Sequence, residues 1–166
     1  WRLNTPTENV VIRDCHIVNA HTLLGIGSEM SGGVRNIYMH HCEAQDSVFR
    51  LFFAKTNHRR GGFIENIWMK NVRAGRMQRV MEVDTDVLYQ WRDLPTYKDS
   101  ITNIRDLYMD SIWVNRAEVI LDLKGDERLP ISNVSVKNIY VKELTDSVKY
   151  VRNAENIVLE ELRYNN

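Results

Sequence analysis

The sequence predicts an all-β chain wound as a right-handed parallel β-helix of about five to six coils. Three observations carry that expectation. A short phrase headed by asparagine or aspartate recurs at Asn9, Asn36, Asn66, Asp106, Asn133 and Asn156, in steps of 27, 30, 40, 27 and 23 residues. Each head is followed by alternating apolar and polar residues, the period of a strand with one buried face. A second apolar run follows most heads, at 21–28, 47–55, 77–84, 117–123 and 147–151. One short strand cannot bury its own face. Stacked coils about 4.8 Å apart bury a continuous core and pair each backbone with the next.

Each coil thus reads as at least two short strands joined by bends, with longer loops returning to the next coil. The right hand is that of parallel crossovers in general. The head asparagines are expected to turn the chain and to hydrogen-bond to one another from coil to coil. His41 stands where Asn71 and Asn138 stand in later copies, so it is expected to form the same bend. Cys15 and Cys42 share one offset and are expected to point inward, one above the other, as small buried side chains. The stretch 87–103 follows neither pattern. Rich in Tyr, Trp, Asp and Lys, it reads as a long loop and explains the 40-residue step.

Composition narrows the function. With 43% hydrophobic and 27% charged residues the chain is globular rather than disordered. Lys plus Arg equals Asp plus Glu, which argues against nucleic acid or an anionic membrane as a partner held by bulk charge. No apolar run approaches the roughly 18 residues of a membrane span. The five histidines lack metal-ligand spacing, so no metal or cofactor is expected. The 166 residues read as a single domain. Its pattern is already running at Asn9 with no capping helix before it. The N-terminal end is therefore expected to be uncapped, covered by upstream coils or by another chain.

The densest unusual chemistry lies in 20–62. Six of the eight glycines fall there, which suggests a surface shaped for a ligand. Lys55, Arg59 and Arg60 add positive charge suited to a carboxylate. Asp84 and Asp86 are the best carboxylate pair by spacing, since residues two apart on a strand share a face. Tyr89 and Trp91, in the long loop, are candidates for stacking on sugar.

Two phrases in this region resemble glycoside hydrolase family 28, the polygalacturonases and related pectin hydrolases. Gly-Ser-Glu-Met-Ser-Gly-Gly-Val-Arg-Asn at 27–36 is close to the form in exo-acting and bacterial members. Lys-Thr-Asn-His-Arg-Arg-Gly-Gly at 55–62 resembles the stretch carrying the family's Arg-x-Lys signature. The likeness is strongest over 8–72 and faint after 126. It implies the β-helix, inverting hydrolysis of a uronic-acid-containing polysaccharide, and an extracellular or periplasmic location. The family's Gly-His-Gly falls on Ala20-His21-Thr22, so His21 takes the role of tuning the catalytic acids. Arg-x-Lys falls on Phe53-Ala54-Lys55, so Lys55 takes the role of holding a substrate carboxylate or hydroxyl. Arg59, Arg60, Glu29 and Tyr89 complete the expected substrate contacts.

Three family positions differ: both glycines around His21, and the arginine, which is Phe53 here. Arg50, three residues before Phe53, is expected to face the opposite side of the strand. The family's catalytic aspartates lie one coil before the histidine, which here precedes residue 1. The chain is accordingly expected to be the C-terminal portion of a longer helix and inactive alone. A non-catalytic binding or structural β-helix, and less readily a polysaccharide lyase, are the alternatives.

Overall fold

A computed structural model describes residues 4–88 and 92–166, without the side chains of Asp46 and Ser47. The described chain contains seven strands: β1 (Thr7–Arg13), β2 (His16–Ile26), β3 (Val34–Lys55), β4 (Phe63–Asp84), β5 (Asn103–Lys124), β6 (Ile131–Arg152) and β7 (Ala154–Tyr164). They form one sheet in the order β1-β3-β4-β5-β6-β7, with β2 also on β3, and every pairing between these strands is parallel. Register follows the sequence repeat: Thr7 lies beside Val34, Val34 beside Ile64, Ile64 beside Ile104, and Ile131 beside Ala154. Stacked parallel coils of this kind are what a β-helix requires.

The long strands bend at regular places. All six heads have left-handed φ, between 53° and 60°. Asparagine and aspartate tolerate that conformation best among residues with a Cβ. A second bend lies five residues on, at Asp14, His41, Asn71, Ser111, Asn138 and Glu161. His41 thus fills the bend expected of it. The head amides form a ladder: Asn36 Nδ2 donates to Asn9 Oδ1 at 2.9 Å, and Asn66 Nδ2 to Asn36 Oδ1 at 2.8 Å. Asp106 has no amide to offer Asn66, and the Trp68 indole donates to Asn66 Oδ1 instead.

Inward side chains stack in tiers. Met39, Met69 and Met109 are in register, as are Ile37, Ile67 and Leu107, and all are nearly fully buried. Burial of each such side chain contributes on the order of 1.5–3 kcal/mol. Cys42 continues the pattern above Val72, and both thiols are free. Each donates to the carbonyl two residues earlier, Cys15 to Arg13 and Cys42 to His40, and burial pushes the Cys42 thiol pKa up. Among the described residues no helix is long and apolar enough to cross a membrane.

Between the bends each coil presents walls. The first carries the outward column Val11, Tyr38, Trp68 and Tyr108. A middle wall follows the second bend, and a last wall runs from Arg50 to Lys55 and its counterparts. The candidate site belongs to this last wall.

Candidate functional site

Alternation breaks at the entry to the last wall. Leu51 and Phe52 are consecutive, yet both are buried, as are Val80 and Met81 in the next coil. Two inward residues in succession reverse the parity of the residues after them. Arg50 therefore lies on the same side as Phe53, its guanidinium 4.6 Å from the Phe53 ring centroid. The expectation that Arg50 faces away is overturned by this bend.

The wall is laced by ion pairs running from coil to coil. Arg50 Nε donates to Glu82. One coil on, Arg79 donates to Asp122 at 3.2 Å and to Glu118 at 3.0 Å. Lys124 Nζ lies 3.7 Å from Asp84 and 3.9 Å from Asp122. Phe53, Glu82 and Asp122 stand in register, and the two acidic side chains are only 8% and 6% exposed. Burial at that depth demands a partner, and the arginines supply it. Both acids sit between apolar neighbours in the sequence, a signal that marks them as unusual. The Arg79 pKa is raised by its hydrogen bonds to Asp122 and Glu118, against an opposing desolvation cost that is its largest single influence.

The two residues expected to share a groove do not stand side by side. His21 is level with Phe49, between the pairs Ala20–Val48 and Thr22–Arg50. Its ring contacts Phe49 at 5.6 Å between centroids, and its Nε2 lies 3.4 Å from Arg50 Nη1. Lys55 is level with Gly27, six residues farther along β3 than Phe49. Arg50 and Phe53 lie between them: Arg50 meets His21 at one end, and Lys55 Nζ sits 5.6 Å from the Phe53 ring at the other. Among the described residues Lys55 makes no ion pair.

Glu29 and Arg60 come together, Oε1 to Nη2 at 2.5 Å. Glu29, expected to contact substrate, thus bonds a guanidinium of the chain itself. The Arg59 backbone amide donates to Asn57 Oδ1 at 3.1 Å, and its guanidinium donates to Thr96 at 3.3 Å, tying it to the long loop. Asp84 ends β4, and its Oδ1 accepts the Asp86 backbone N–H at 2.9 Å. The second carboxylate therefore lies past the strand, in a turn, where it pairs with Arg92 at 2.7 Å. The strand spacing proposed for this pair does not hold. Tyr89 and Trp91 lie outside the described residues.

The glycines serve packing more than ligand access. A Cβ on Gly27, at φ 93°, would sit 1.9 Å from the Lys55 carbonyl oxygen. On Gly33 it would meet the Phe63 ring, and on Gly62 the Ser31 carbonyl. Gly25 is different: it is exposed, lies in register with Phe53, and has only Thr22 nearby. Gly25 alone leaves open space beside Phe53, whereas the space at Gly27 is taken up by the Lys55 carbonyl.

Loops past the wall are joined by a polar network. His58 Nε2 lies 3.0 Å from Asp126, and Arg92 bonds His58 Nδ1 at 2.9 Å. Arg128 bridges Asp126 and Asp99. Its hydrogen bonds hold the Asp126 pKa down at about 2. Among the described residues no group of three His, Cys, Asp or Glu side chains converges to hold a metal ion.

No protein-family model and no curated protein matches the chain. Among solved structures, a hyperthermoactive exopolygalacturonase from Thermotoga maritima matches with a TM-score of 0.80 and 23% identity. The chain has the fold of part of that enzyme. The match covers 96% of this chain and 36% of the exopolygalacturonase chain, so these residues span about a third of its length.

Proposed function

We propose that the chain is part of a right-handed β-helix of glycoside hydrolase family 28, of about five to six coils, acting on a uronic-acid-containing polysaccharide. The fold shared with an exopolygalacturonase supports this reading, together with the two sequence phrases, which begin at the end of the site wall and run through the loops past it. The observation that carries it is Lys55: a half-buried cation that makes no ion pair among the described residues, two positions past Phe53, where Gly25 leaves open space. An ammonium so placed suits a sugar carboxylate. His21 and Arg50 extend the polar surface along the same wall, and Arg59, Arg60 and Glu29 form its rim.

Inverting hydrolysis needs one carboxyl to protonate the leaving oxygen and another to activate water. On this wall Glu82 and Asp122 are already engaged by arginines, so the reading assigns the catalytic carboxylates to coils preceding residue 1. The enzyme acts where pectic polymers occur, outside the cell or in the periplasm. The same engagement of Glu82 and Asp122 favours, as a second reading, a binding module without catalysis.

Incubation with polygalacturonate tests both. The chain alone is expected to bind trigalacturonate without releasing reducing ends, and Lys55→Ala is expected to weaken binding about tenfold. Reducing-sugar release by the chain alone contradicts the placement of the acids. An unsaturated, ultraviolet-absorbing product indicates a lyase instead. Unchanged binding by Lys55→Ala removes the groove.

A further inference from the structure

The middle wall holds a hollow of about 610 Å³, remote from Lys55 along the coil. Glu43, Arg73, Trp113 and Tyr140 line it from successive coils, in register. Gln45 and Asn115 add amides from the next outward positions. Between them lies Gly75, flanked by Ala74 and Arg76, which pair with Val114 and Arg116. Gly75 has no side chain to set against Asn115, which deepens the hollow.

Its aromatic rings are partly exposed. Trp113 is 40% exposed and Tyr140 41%. On the first wall, by contrast, Trp68 and Tyr108 stack on each other at 4.1 Å and use their ring faces for packing. Among the described residues Trp113 has no aromatic ring partner. The Arg73 guanidinium lies 5.3 Å from its centroid. Arg73 itself makes no ion pair or side-chain hydrogen bond among the described residues, unlike Arg50 and Arg79.

We infer that this hollow is an accessory binding site for an acidic sugar unit, separate from the Lys55 wall. Exposed Trp and Tyr offer an apolar face for a sugar ring and a polar edge for its hydroxyls. The unpaired guanidinium can grip a carboxylate through two parallel hydrogen bonds. Gln45 and Asn115 offer both donors and acceptors to hydroxyls. The volume lies within the roughly 300–1,000 Å³ range of small-ligand sites. Rings one coil apart repeat at about 4.8 Å, so the platform suits a chain running along the helix axis. The inference rests on the polysaccharide reading but uses none of the residues assigned to the Lys55 wall.

Titration of the chain with trigalacturonate, followed by tryptophan fluorescence and calorimetry, tests it. In a Lys55→Ala background, which isolates the middle wall, quenching and binding heat are expected to persist. There, Arg73→Gln and Trp113→Ala are each expected to weaken binding about tenfold or more, and Trp113→Phe to retain most of it. Methyl-esterified trigalacturonate is expected to lose the Arg73 contribution. Equal binding of ester and acid overturns the carboxylate assignment. Loss of all binding on Lys55→Ala alone overturns the accessory site and leaves the Lys55 groove standing. No binding by the unmodified chain overturns both.

Discussion

The last wall and the middle wall are built on the same coils, in the same register, yet they use their charges differently. On the last wall, arginines reach across to carboxylates of the following coil, Arg50 to Glu82 and Arg79 to Asp122. The charges neutralise one another, and the acids sink almost out of water. On the middle wall Arg73 lies beside Trp113 in the following coil, and Glu43, in register with it in the preceding coil, lies by His16 instead. A repeating backbone thus yields one wall whose buried acids are held by arginines and another where Arg116 pairs with Glu143 at 3.4 Å but Arg73 remains unpaired among the described residues. Lys55 is the exception on the first of these, and for that reason it is the residue assigned to a ligand.

The largest expected effect tests the structural half of this contrast. Arg79→Ala leaves the buried Asp122 carboxylate without its guanidinium and is expected to cost about 3–5 kcal/mol. Urea unfolding of Arg79→Ala and Arg73→Ala measures the difference, the latter expected within about 0.5 kcal/mol of the parent. Equal losses would erase the distinction between the walls.

The glycines sharpen it next. Gly27→Ala places a methyl against the Lys55 carbonyl at a left-handed φ and is expected to destabilise by at least about 1–3 kcal/mol. Gly75 has no left-handed φ, and Gly75→Ala is expected to be the milder change of the two. The same methyl is expected to weaken trigalacturonate binding in the hollow. Thermal melts and the titration together check both expectations.

A further effect concerns acid. The Asp126 pKa is lowered from 3.8 to about 2, first by hydrogen bonds from Arg128. A depressed carboxylate stabilises fully above its unfolded value and loses that contribution as pH falls from about 4 through 2. Asp126→Asn is expected to flatten the stability profile in this window. An unchanged slope would show that the loop network titrates as one with the unfolded chain.

Much of this architecture is legible in the chain. The repeat gives the register directly, because a parallel coil pairs each head with the next. The bend at His41 is readable because asparagine fills that offset in neighbouring copies. The position of Arg50 is not readable, since alternation presumes a continuous strand and nothing local marks Leu51 and Phe52 as both inward. His21 stands six positions before the level of Lys55 because of the β2–β3 register, which the two phrases do not reveal. The ligand surface suggested by the glycines fails because a sequence does not show which loop packs over which. Arg73, Trp113 and Tyr140 were within reach: they stand seven residues after Asn66, Asp106 and Asn133. Aligning the copies at that offset yields an outward column, which apolar patterning alone passes over.

Trigalacturonate binding by the Lys55→Ala, Arg73→Gln double variant tests the central claim most directly. The parent chain is expected to bind and the folded double variant to bind at least about tenfold more weakly. A double variant that binds as tightly as the parent would contradict the assignment of acidic sugar to either wall.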